Sequence, residues 1–338
     1  MNDLLAGLLS ALVATNQPAA LSNLLHKKTG LAITIPDKND PVEQAFQKLM
    51  ADDDAAQAEV NQWIADSGRS PNKGQGIESV TLRARIKQRF DPVKNAYEDF
   101  LKRHPQHARA RLAYGSFLND IGEEGEAFGH WEKARELDPS NPAAWNNLAN
   151  WHGHNGGVTN SFTYYAKAIE LDPNEPIYHQ NFATTVYLFR HDATNFYQIS
   201  QQQVFDKAMA LYRKALELDP ENFLLATDYA QSYYGFKPPP SGHEASDRKA
   251  EQAFADEALA AWQSALKLAR DDVEREGVLI HFARIQINAG RFEEARKNLN
   301  AVTNETLATT KRLLTKKLTD HEAKARGTNG LSRTNEAK

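Results

Sequence analysis

The tripeptide Leu-Asp-Pro occurs three times in this chain. Each time it closes a similar run: Ala134-Arg135-Glu136-Leu137-Asp138-Pro139, Ala168-Ile169-Glu170-Leu171-Asp172-Pro173 and Ala215-Leu216-Glu217-Leu218-Asp219-Pro220. The first two prolines lie 34 positions apart, and Pro105 precedes Pro139 by the same 34. Pro173 and Pro220 are 47 apart, one period with 13 residues inserted. Self-similarity at such a period points to stacked repeats, because one short unit cannot bury its apolar face alone. Each Asp-Pro should end a helix, since the residue before proline is pushed out of the α region. Asn141-Pro142 should open the next helix as N-cap and first helical residue.

The interior of each period is also regular. Small residues recur at Gly115, Ala149, Ala183, Ala230 and Ala283, and large aromatic ones at Trp131, Tyr165, Tyr212 and Trp262. This resembles the tetratricopeptide repeat, a 34-residue helix–turn–helix with the pattern W-x2-L-G-x2-Y, then A-x3-F, then P. The unit after Pro139 carries Trp145, Leu148, Ala149, His152, Ser161, Tyr165, Ala168 and Pro173 at those places. The likeness covers residues 77–303, with a degenerate half-unit ending in Tyr97, Phe100 and Pro105. It implies an all-α solenoid, a right-handed superhelix of helix hairpins with an N-terminal helical extension. Small residues would let helix axes approach, and the aromatic would fill the space beside them.

Two insertions break the period. One, around Arg190 to Gln202, contains Asn195-Phe196-Tyr197-Gln198, and its Ser200 and Gln203 resemble a capping box that starts a longer second helix. The other runs from Gly235 to about Ala245 with Pro238-Pro239-Pro240, which favours an extended stiff chain. Either could fold over a groove. Residues 1–70 lack the repeat and show helical patterns near 3–14, 18–29, 41–50 and 54–66. Gly30 would end the second, and Asp52-Asp53-Asp54 would cap the fourth. This segment reads as a cap or contact module, joined by a linker from Ser67 to Gly76. A capping helix over 304–320, with Leu307, Leu314 and Leu318, and a polar disordered tail over 321–338 complete the division. The basic cluster Lys311, Arg312, Lys316 and Lys317 reads as a solvated helix face.

Several chemistries are excluded or disfavoured. There are no cysteines, so disulfides and thiolate sites are impossible. A net charge of −4 argues against nucleic acid and acidic membranes as partners. No run of about 18 apolar residues predicts a membrane span. Leu4 to Ala14 has the apolar look of a secretory signal, but no Lys or Arg precedes it and Leu5, Leu8, Leu9 and Leu12 fall at helical spacing. A cytoplasmic protein is expected, with export by an atypical signal as the alternative. His152 and His154 are the weak metal candidates, but they lack a third ligand at metal-binding spacing. No phosphate-binding glycine loop, nucleophile elbow, zinc-protease helix or kinase motif is present, so neither a cofactor nor catalysis is expected. His104 and His107 read as exposed turn residues beside Pro105.

The resemblance implies that first helices line a groove for extended peptides or partner helices. Two inward positions per first helix would be Leu112 and Ser116, Asn146 and Asn150, Gln180 and Thr184, Thr227 and Gln231, and Ile280 and Arg284. The middle of this series is amide and hydroxyl, groups that can pair with the backbone of an extended strand. Asn150 matches a position where many family members grip peptide backbone, and Tyr187 and Tyr234 would stand at the groove wall. The family's clamp for a terminal carboxylate uses Lys and Asn where this chain has Leu112 and Ser116, so that binding mode is not expected. Arg284 alone could meet an acidic group. The expectation is a non-catalytic scaffold that holds a protein or extended peptide. The alternatives are an RNA-binding helical repeat or an accessory subunit of an enzyme or assembly complex.

Overall fold

The computed structural model describes residues 39–69 and 76–335, and the side chains of 39–67 and 80–326. The helical patterns near 3–14 and 18–29, with Gly30, lie outside the described residues. All regular structure among the described residues is helical. The chain divides into two compact units, Met1–Pro139 and Ser140–Lys338. The boundary falls inside the stretch that the sequence reads as one array.

The first unit holds α1 (Pro41–Arg69), α2 (Gly76–Arg103), α3 (Ala108–Asp120) and α4 (Glu124–Leu137). The patterns near 41–50 and 54–66 belong to the single helix α1, so Asp52-Asp53-Asp54 caps nothing. Asp53 is instead buried against α2, where it accepts a 2.6 Å hydrogen bond from Tyr97 Oη. Burial pushes the Asp53 carboxyl above the usual carboxylate range. Tyr97 stacks on Tyr114 at 5.0 Å, which locks α2 to α3. His107 is not a bare turn residue. Its Nδ1 caps α3 by accepting from the Ala110 amide at 3.0 Å, and its ring packs on Phe46 and Phe100. His104 likewise meets Phe100 at 4.8 Å. Gly115 shows why the small position matters: a Cβ there would sit 2.6 Å from the Trp131 ring.

The second unit holds α5 (Pro142–His154), α6 (Val158–Leu171), α7 (Pro176–Leu188), α8 (Arg190–Tyr197), α9 (Gln201–Leu218), α10 (Phe223–Gln231), α11 (Glu244–Leu268), α12 (Asp272–Asn288), α13 (Phe292–Ala301) and α14 (Ala308–Asn335). First helices α5, α7, α10 and α12 pair with second helices α6, α9, α11 and α13, and each hairpin packs on the next, as an all-α solenoid does. Asp172 and Asp219 end α6 and α9 with φ of −141° and −133°, out of the helical region, as the following prolines require. Asn141 caps α5 through the Ala143 amide, with Pro142 as first helical residue. Ala149, Ala183, Ala230 and Ala283 are fully buried, and Tyr165, Tyr212 and Trp262 fill the core beside them.

Both insertions brace the second-helix side. Ser200 and Gln203 form a reciprocal capping box at the start of α9. The inserted α8 packs on α6, where Phe196 and Tyr197 meet Phe162 at 5.5 and 5.6 Å. Lys207 of α9 lies 4.5 Å over the Tyr197 ring. A 3-10 turn, Ser232–Gly235, leads into the second insertion, and Phe236 stacks on Phe205 at 4.3 Å. At the C-terminal end, Leu314 and Leu318 bury against Ile280, Ile287 and Leu299. Helix α14 runs on to Asn335, past the point where a disordered tail was expected. The Arg296–Glu322 ion pair ties its second half to α13. Lys311 and Lys317 of the basic cluster anchor the helix through the Val302 carbonyl and Asn288 Oδ1.

Candidate functional site

Residues three and four apart share a helix face. On α7 that rule groups Ile177, Gln180, Thr184 and the Tyr187–Leu188 pair. On α10 it groups Leu224, Thr227 and Gln231, with Tyr234 just beyond the helix end, and on α12 Val273, Ile280, Arg284 and Asn288. The candidate face therefore has a start, a middle and an end on each first helix, and the three zones differ chemically.

The middle zone is tied internally. Asn146 is buried, and its Oδ1 accepts from Asn181 Nδ2 at 3.1 Å. Tyr165 Oη donates a short bond to Asn150 Oδ1 and accepts from Thr185 Oγ1 at 3.3 Å. Burial pushes the Tyr165 hydroxyl up to about 12, so it stays a donor at neutral pH. Thr184 Oγ1 pairs with Tyr212 Oη at 2.8 Å, and Gln180 Nε2 donates to Asp228 Oδ2 at 2.8 Å. Thr227 Oγ1 donates to the Leu224 carbonyl of its own helix at 2.7 Å. Gln231 is exposed. The amides that the sequence offers as strand-grippers are thus partly committed. Asn150 keeps its Nδ2 donors without a protein partner among the described residues, and Tyr165 fixes which way they point.

The end zone is aromatic and cationic. His281 stacks on Trp262 at 3.9 Å and 12°. Tyr234 Oη bonds His281 Nδ1 at 2.8 Å, and the Arg284 guanidinium lies 5.5 Å over the Tyr234 ring. Burial, aided by the Arg284 charge, holds the His281 imidazole down at about 4, so it is neutral at physiological pH. No carboxylate pairs with Arg284 among the described residues. Tyr187 reaches Gly235, where a Cβ would collide with its Oη at 2.1 Å. Only a glycine admits that contact, which joins the ends of α7 and α10.

The start zone was missed by the sequence reading. Ile177, Leu224 and Val273 sit in the first turns of α7, α10 and α12, and are 42%, 64% and 47% exposed. Leu188, at the far end of α7, is 59% exposed. Large apolar residues are left open near the starts of three successive first helices: Ile177 and Leu224 share one repeat register, where α12 has Gly277, and Val273 stands about one turn earlier. The signal was available: an apolar residue immediately follows Pro142, Pro176 and Phe223 in the repeat register. His152 packs against Trp151 and Tyr164 at 5.3 and 5.2 Å, whereas His154 is exposed at the end of α5. Among the described residues no group of three or more metal-ligating side chains comes together. Nor is any described helix long and apolar enough to cross a membrane.

Stacked two-helix units with a buried small–aromatic pair in each define a helical-repeat protein. Family models described as tetratricopeptide repeat match residues 94–134 and 200–222. The chain contains tetratricopeptide repeats. No curated protein sequence matches it. Similar solved structures include MamA, 20% identical over 55% of this chain and 92% of that one, with a TM-score of 0.40. YrrB, described as a TPR protein with an unusual peptide-binding site, is 14% identical over 61% of this chain and 90% of that one, with a TM-score of 0.44. PilF of Pseudomonas aeruginosa is 17% identical over 68% and 93%, with a TM-score of 0.44.

Proposed function

We propose that the second unit holds an extended peptide or a partner helix on the face of α5, α7, α10 and α12, and that the protein works as a non-catalytic scaffold. One observation carries the reading. Ile177, Leu224 and Val273 stay exposed at the starts of consecutive first helices, although the core beneath them is closed. Such a row is costly to leave in water, at about 25 cal/mol per Å² of apolar surface, and repetition separates it from scattered surface leucines. The middle zone supplies oriented polar groups for a backbone, with Asn150 Nδ2 and exposed Gln231 as donors. Arg284 at the end zone supports a preference for a partner with an acidic group at that position.

The test is capture of partners from source-cell extract by the full chain and by the variant Ile177→Glu/Leu224→Glu/Val273→Glu. Loss of the captured set with unchanged helicity supports the reading. Equal capture by both chains removes the face from consideration.

A further inference from the structure

The first unit has a cleft of about 580 Å³ lined by both apolar and charged side chains. Its apolar lining is Val60 and Ile64 of α1, Ile86 and Phe90 of α2, and Ile121 just after α3, and it is bordered by Lys87, Asp91, Lys94, Asp120 and Glu123. It exists because the α1–α2 hairpin overhangs. α1 and α2 have 29 and 28 residues, about 43 Å each, while α3 and α4 have only 13 and 14, about 20 Å. Beyond the reach of α3, Ile64 is left 49% exposed and Val80 66% exposed. Arg83, on the rim, has no carboxylate partner among the described residues.

We propose that this cleft is the docking site of the chain's own residues 4–14. Residues 1–38 precede the described part and lead directly into α1. Before His26 their only charged side chain is Asp3, and Leu5, Leu8, Leu9 and Leu12 recur at the spacing of one helix face. An eleven-residue helix is about 16 Å long, the same as the span from Arg83 to Lys94 along the cleft wall. The cleft lies about 24–35 Å along α1 from Pro41, and the 26 residues between Ala14 and Pro41 can reach about 90 Å. Covering by the same chain carries no bimolecular association cost, which favours it over a second copy at low concentration. Asp3 at the leading end of the segment complements Arg83.

The absence of cysteine makes disulfide trapping unambiguous. A disulfide needs Cα atoms within about 7 Å. The full chain would carry Leu8→Cys with Ile64→Cys, or Leu8→Cys with Lys102→Cys as a control at the opposite end of α2. Both partner sites are exposed, so the fold is kept. The Leu8–Ile64 pair should close within one chain at least tenfold faster than the control, at a rate independent of dilution. Adding Leu5→Asp and Leu9→Asp should erase that preference. Equal rates for the two pairs, or linkage only between chains and rising with concentration, would overturn the proposal.

Discussion

The starts and the middles of the first helices in the second unit have nearly opposite chemistry. At the starts, Ile177, Leu224 and Val273 are left exposed to water. In the middles, Asn146, Asn150, Gln180 and Thr184 are drawn into bonds with Asn181, Tyr165, Asp228 and Tyr212. Polar residues on a repeat face can therefore serve the scaffold, while the apolar ones at the helix starts stay open to water. The surface that looks adhesive in the sequence is partly structural, and the open apolar residues lie at the helix starts.

That contrast can be broken by substitution. The largest effect should come from Trp262→Ala, which removes the ring beneath His281 and Tyr234 and leaves a core cavity. It should cost about 3–5 kcal/mol in urea unfolding. Tyr165→Phe is smaller and more specific. It keeps the ring and strips the hydroxyl from Asn150 and Thr185, so stability should fall by about 1–2 kcal/mol and Asn150 should lose its fixed orientation. Proton exchange of the Asn150 side-chain amide would show the second effect.

A pH experiment probes the end zone. The folded His281 titrates near 4 because burial and Arg284 oppose its charge, below its ordinary 6.5. The unfolded chain then binds more protons between those values, so stability is full above pH 6.5 and falls as pH drops toward 4. Going from pH 7 to pH 5 should cost about 1–2 kcal/mol through this group. His281→Phe should flatten that slope. The smallest effect belongs to the starts: Ile177→Ser or Leu224→Ser alone should change stability by less than about 0.5 kcal/mol, because an exposed side chain gives up little packing.

Much of this architecture was legible in the sequence. Leu-Asp-Pro gave the helix ends because proline acts locally, and Gly115 with Trp131 gave a helix contact because a missing Cβ has one obvious use. The capping box at Ser200 and Gln203 was legible for the same local reason. What failed was non-local. Asp53 lies in an acidic run that resembles a cap, and only the packing of Tyr97 against it reveals a buried pair. The amides of the middle zone were assigned to a ligand because their partners lie 15 to 48 positions away, at Tyr165, Asn181 and Asp228. The sequence allowed either insertion to fold over a groove, and Phe196 and Phe236 set them against second helices.

The most direct test sets the two zones against each other on one readout. Partner capture by full-length chain is compared among wild type, Ile177→Glu/Leu224→Glu/Val273→Glu, and Asn150→Ala/Gln180→Ala/Gln231→Ala, with urea stability measured for each. The apolar-row variant should lose at least tenfold in capture with stability nearly unchanged. The amide variant should lose about 1–3 kcal/mol of stability, because Tyr165 and Asp228 each lose a hydrogen-bond partner, and a smaller part of its capture. Full capture by the apolar-row variant would contradict the account.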